Sequence, residues 1–205
     1  MGLNMTISVV AYRGEHGKKE LTGSFQSRLA SFSFGSLKTA KTYATSPNNL
    51  SDRPIDPRVY KVHLALENPV INEPSDQFIE FADILKALGP DKALQIAREQ
   101  EDHLCNTDNY GGLLDEFNSK DINELHKAMG DSFFGRLYVD AYPVFDNKNY
   151  VKWFKEAGFD GAVHGGSGTS SMEAEYKVFD TKNVRVLREF DLGAKPKMTP
   201  SSMAM

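Results

Sequence analysis

An α+β fold is what this sequence predicts, and three observations carry the prediction. Runs rich in β-branched and aromatic residues, "TISVVAYR" and "VYKVHLAL", lie in the first third of the chain, and "DGAVHG", "AEYKVF" and "NVRVLREF" lie in the last quarter. Between them the apolar residues recur at helical spacing. At 205 residues the chain is long enough for one sizeable core. The expectation is therefore a single domain over residues 1–190, with a helical insertion over about 75–135 covering one side of a sheet.

The elements follow in order. "TISVVAYR" is a strand stopped by Gly14, and a polar, turn-forming stretch leads to a second short strand through "ASFSF". After Gly35, "SLKTAKTYA" repeats at helical spacing through Leu37, Ala40 and Tyr43 or Ala44, with Ser36 as the N-cap. The proline-punctuated loop "SPNNLSDRPIDPR" precedes "VYKVHLALENPVI", a strand that Pro69 is expected to end. From Ser75, Phe78, Phe81, Ile84, Leu85 and Leu88 give a helical repeat closed by Gly89-Pro90. "DKALQIAREQEDHL" and "SKDINELHKAMG" are further helices, separated by the polar, glycine-containing "CNTDNYGG". "NKNYVKWFKEAG" is an amphipathic helix capped near Asn147 or Asn149 and closed by Gly158, and the last strands follow. The tail, 191–205, has little to bury and reads as disordered.

Composition excludes several classes. The net charge of −4 and the lack of a dense Lys/Arg stripe argue against a dedicated nucleic-acid binder. Cys105 is the single cysteine, so no internal disulfide forms and no metal site can rest on thiolates; a reducing cytoplasm fits. His16, His63, His103, His126 and His164 are scattered, and no metal is expected. No stretch has the apolar length of a membrane span. "MGLNMT" matches the N-myristoylation pattern at Gly2, but a vector-derived leader with Met5 as the natural start is the favoured reading.

Three separated features can carry chemistry: "YRG" at the end of the first strand, "SFSFGSLKTAKTYA" as strand then helix, and "EAEYKVF" behind the loop-like "HGGSGTSSM". Singly each has an ordinary explanation, as a solvated arginine, a helix cap and the wet face of a strand. Their order is more specific. Arg, an aromatic-Ser-aromatic strand leading into "AxxYA", and a late Glu-x-Glu strand resemble the mono-ADP-ribosyltransferases of the Arg-Ser-Glu type, which include bacterial toxins and phage-encoded enzymes. The similarity covers roughly 6–70 and 138–190, and the helices between match nothing comparable.

That resemblance implies a split pair of small antiparallel sheets around an NAD cleft. It also implies transfer of ADP-ribose from NAD to a protein side chain, with nicotinamide released and no metal involved. The reaction breaks an N-glycosidic bond through an oxocarbenium-like centre, which a carboxylate beside the ribose stabilises. By position in the motif that carboxylate is Glu175, while Glu173 meets the acceptor, whose type the family pattern points to as arginine. Strand alternation projects the two acids to one face, about 6.6 Å apart. Arg13 supplies a planar cationic fork for phosphate or ribose oxygens. Gly14 lets backbone approach the nicotinamide amide. Ser33 braces the catalytic glutamate, although "SFSFGS" departs from the family's Ser-Thr-Ser and leaves Ser31 and Ser36 as alternatives. Phe32 and Tyr43 offer faces for stacking nicotinamide, or are core aromatics. The Gly-rich loop lacks both G-x-G-x-x-G and a following GK[ST], so it reads as an acceptor-recognition loop rather than a phosphate cradle. The expected partners are NAD and a target protein in a bacterial or host cytoplasm, with no nucleic acid. The rival readings are an NAD glycohydrolase and an inactive fold that binds a partner.

Overall fold

The computed structural model describes residues 6–17, 19–21, 29–45, 56–104 and 109–193. Gly2, Cys105 and positions 194–205 of the expected tail lie outside them. The chain is mixed α+β, with strands and helices segregated as anticipated.

β1 (Ile7–Glu15), β3 (Arg58–Leu66) and β9 (Val184–Asp191) form a three-stranded antiparallel sheet in the order β1-β3-β9. Its inner face carries Val9, Ala11, Tyr60, Val62, Leu64 and Leu66, because every second residue of β1 and β3 is apolar. α1 (Leu37–Thr45) lies across one half of the outer face, with Ala40 and Ala44 on Val59, Tyr12 and Phe190. Ser36 caps it, accepting from the Thr39 N–H at 3.2 Å.

The second sheet has the order β2-β8-β7-β4, from β2 (Phe32–Phe34), β8 (Ala174–Val178), β7 (Gly161–Gly165) and β4 (Pro69–Ile71). It is mixed rather than antiparallel, since β4 and β7 run parallel. Pro69 begins a strand instead of ending one, at a first position where its missing N–H is harmless. The Asp160 carboxylate accepts from the Glu67 and Asn68 N–H groups and fixes that step. A long crossover then returns the chain in the same direction, as parallel pairing requires.

The crossover holds a third sheet that the sequence reading did not anticipate, β5 (Phe78–Glu80) with β6 (Tyr138–Asp140). The apolar repeat from Ser75 therefore splits, and α2 (Phe81–Leu88) starts later than expected. Asp76 accepts from the Phe78 N–H, and Asn72 donates to the Asp76 and Phe78 carbonyls; together they hold the segment extended. α3 (Pro90–Glu99) and α5 (Ile122–Met129) match expectation. α4 (Asn109–Glu116) does not: its glycines disfavour helix, but Tyr110 and Leu113 reach the core and outweigh them. α6 (Ala141–Phe145) is capped by Asp140, and α7 (Lys148–Glu156) by Asn147. These helices, with Val70, Ala162 and Phe179 from the sheet side, make the larger hydrophobic cluster. The presumed insertion is thus the main core. β9 runs to Asp191, and the Leu192 N–H donates to the Pro57 carbonyl, so the fold extends past the expected boundary at 190.

Candidate functional site

The two larger sheets touch through one backbone bridge, Tyr12 with Gly35, each N–H donating to the other's carbonyl at 2.9 Å. Backbone groups alternate sides along an antiparallel strand. With Tyr12 directed at Gly35, Gly14 directs its N–H and C=O to the same side, away from β3 and into the gap beside β2. Ser33, two residues before Gly35, faces that gap in turn: its carbonyl accepts from Arg13 Nη1 at 3.2 Å.

Arg13 has an 11% exposed side chain and is held by acids of its own segment. Glu15 lies 3.0 Å from Nε, and Glu20 pairs with Nη2. Its guanidinium sits 5.4 Å from the centroid of Phe32, which is half-buried and also packs on the inner core. Gly14 does provide a close approach, but to helix α1: a Cβ there would fall 1.9 Å from the Ala40 carbonyl oxygen. Tyr43 is no core aromatic, being 46% exposed, with its ring 5.1 Å from His16. Partial burial raises its pKa, opposed by Arg13.

On the second sheet, alternation sends Phe34 and Val178 into one core and Ser33, Glu175, Lys177 and His164 to the opposite face. There they meet α6 and form a buried polar array at the seam of the two cores. Lys177, fully buried, donates to the Ser33 hydroxyl at 2.8 Å and to both Asp146 oxygens at 3.0 Å. It lies 3.5 Å from Glu175 and 4.4 Å from the Tyr142 ring centroid. The Tyr142 hydroxyl donates to Glu175 Oε2 at 2.6 Å. Burial pushes the Glu175 carboxyl upward, but Lys177, Tyr142, His164 and Ser33 outweigh it, and its pKa ends below the ordinary carboxylate value. Tyr142 moves the other way, to about 12, through burial and the neighbouring Glu175 charge. It therefore remains a donor throughout the neutral range. His164 is buried between Tyr142 and Phe145, and its pKa is lowered by that burial.

Ser33 is thus the junction of the predicted set: its carbonyl receives Arg13 and its hydroxyl receives Lys177. Of the alternatives, Ser31 donates to Asp146 at 2.8 Å and Ser36 caps α1. Glu173 precedes β8 and leaves the strand's alternation. Thr39 donates to its carboxylate at 3.0 Å, and the Ser36 and Thr39 hydroxyls lower its pKa. The two glutamates accordingly have separate partners. The Gly-rich loop closes on itself, through Gly166 N–H to the Glu173 carbonyl at 2.8 Å and Ser170 Oγ to the Ser167 carbonyl at 2.9 Å. A groove of about 420 Å³ elsewhere, between α7 and Phe179, contains none of the predicted site residues.

Lys177, Tyr142 and Asp146 escaped the sequence reading. Lys177 stands two residues beyond Glu175, so alternation places both on one face; that signal was readable. Tyr142 and Asp146 are one helical turn apart, a spacing too common to single out. Among the described residues no group of three His, Cys, Asp or Glu is placed to hold a metal ion. None of the described helices is long and apolar enough to cross a membrane. No protein-family model matches the chain, and no curated protein or solved structure does either.

Proposed function

We propose that the chain is a mono-ADP-ribosyltransferase that binds NAD at the gap between β1 and β2 and moves ADP-ribose to a protein side chain, with arginine the leading acceptor. One observation carries this reading: Arg13, Ser33 and Glu175, drawn from three distant segments, converge at the seam between the sheets, Arg13 bonding Ser33 directly and Lys177 joining Ser33 to Glu175. Arg13 offers a fork to the pyrophosphate in exchange for Glu20, and the backbone of Gly14, bonded to no other group among the described residues, faces the same gap as a partner for the nicotinamide amide. Glu175, kept ionised by Lys177 and oriented by Tyr142, opposes positive charge developing on the ribose. In this reading Glu173, held by Thr39 of α1, meets the acceptor.

The test is Glu175→Gln, which keeps the side chain's shape and its acceptor for Tyr142. NAD affinity should stay close to wild type, with Asp146 still pairing Lys177, while label transfer from NAD to protein falls by about 10²- to 10³-fold. Transfer at wild-type rate by that variant refutes the assignment. Release of nicotinamide without labelled protein identifies an NAD glycohydrolase instead. A second reading is favoured by the burial of Glu175, whose side chain is 9% exposed. In it the array is a structural ion cluster of a fold that binds partners, and Glu175→Gln lowers stability with no NAD binding to lose.

A further inference from the structure

Helix α1 covers only one half of the outer face of the β1-β3-β9 sheet, and the other half has an unusual charge pattern. Lys61 on β3 pairs directly with Arg188 on β9, and His63 with Arg185. Directly opposed residues point to the same side, so these two cross-strand pairs form a contiguous basic block. Like charges directly opposed, as Lys61 and Arg188 are, destabilise a sheet. Tyr12 and Val10 complete the same two rows on β1, and neither brings an acid. Among the described residues no carboxylate lies within ion-pair distance of Lys61, His63, Arg185 or Arg188, in a chain whose net charge is −4. Arg188 is held in place by the Phe190 ring, 4.6 Å away, and Ser8 lies 2.9 Å from His63 Nε2.

Stability alone gives no reason for this arrangement, whereas an anionic partner does. Val10 (51% exposed) shares a row with His63 and Arg185, and Leu187 (44%), at the register shift between Arg185 and Arg188, is exposed beside them, so the basic block has apolar neighbours. A phosphate backbone has no use for the apolar positions, and the overall negative charge opposes a long polyanion. A polypeptide strand that presents both carboxylates and apolar side chains on one face fits both features. Its same-face side chains recur at about 6.6 Å, the interval between Lys61 and His63 along β3. We propose that this open half-sheet docks an acidic, extended segment of a partner protein. The docking site is separate from the Arg13–Glu175 array and does not rest on the transferase reading.

The probe is a fluorescein-labelled peptide of the repeat Glu-Ser-Val-Ser, which as a strand presents Glu and Val in turn on one face, followed by anisotropy at low and high salt. Wild-type protein should bind it with strong salt dependence. The triple variant Lys61→Gln, Arg185→Gln, Arg188→Gln should bind at least about tenfold more weakly. That variant should melt no lower than wild type, because it removes repulsion; a loss of stability overturns the account of the charge pattern. Arg185→Gln alone repeats the binding test with one exposed change. Equal affinity in wild type and variants, or no binding by wild type, overturns the proposal. So does a single-stranded oligonucleotide that displaces the peptide at lower concentration than unlabelled peptide does.

Discussion

Replacing Lys177 by methionine should reverse how stability responds to pH. The ammonium lies fully inside the protein, 3.0 Å from both Asp146 oxygens and 3.5 Å from Glu175. Asp146 and Glu175 are themselves 15% and 9% exposed. Removing one member of such a group leaves buried charge without compensation, which costs about 3–5 kcal/mol. In a domain of this size that lowers the melting temperature by roughly 2–4 °C per kcal/mol. In wild type the Glu175 pKa is lowered, so its contribution is present above the unfolded pKa and lost as pH falls through the folded one. Without Lys177, burial, the largest influence on Glu175, is opposed only by Tyr142, His164 and Ser33, and the folded pKa rises. If it passes the unfolded value, the group stabilises only in its protonated form, and that benefit is lost as pH rises. Urea titrations at pH 7 and pH 5 read this directly. The wild-type midpoint should hold or fall on acidification, and the Lys177→Met midpoint should rise. Parallel pH profiles, or a loss below about 1 kcal/mol at pH 7, would show that the ammonium is not what sustains the two carboxylates.

Further expectations concern separate parts of the molecule. Gly14→Ala should cost about 3 kcal/mol or more in a denaturant titration, since the new methyl meets the Ala40 carbonyl oxygen at 1.9 Å; Gly35→Ala, whose nearest neighbour is at 3.8 Å, meets no such clash. Asn147→Ala removes the acceptor for the Asn149 and Tyr150 N–H groups at the start of α7 and should cost about 1 kcal/mol by thermal melting. Glu20→Gln releases the Arg13 fork and should tighten NAD binding by up to about fivefold in calorimetry with kcat for transfer unchanged; weaker binding would mean that Glu20 positions Arg13 rather than competing for it.

What could be read from the sequence follows from how locally each feature is determined. β1, β3 and β9 are strands because β-branched residues alternate with polar ones, and α7 is bounded by Asn147 and Gly158, whose φ of 93° suits glycine. α4 was hidden by Gly111 and Gly112, because burial of Tyr110 and Leu113 is a tertiary effect that propensity does not see. The start of α2 was misplaced because Phe78 belongs equally to a helical repeat and to a strand, and only Asn72 and Asp76 decide between them. The proximity of Arg13, Ser33 and Glu175 was foreseeable from motif order. Alternation also puts Lys177 on the face of Glu175, but its burial depends on Tyr142 and Asp146, which the sequence does not place beside it. The absent side chain of Gly14 has a structural role that no motif announces, making room for the Ala40 carbonyl of α1.

The seam position of the ionic array bears on how this protein can diversify. The helical layer reaches the carboxylate of Glu175 by way of α6, whose Tyr142 hydroxyl and the Asp146 just beyond it are its polar links to the sheet. Apolar substitutions on the core faces of the other helices touch no member of that array, so the packing there is free to drift while five residues and their cap stay fixed.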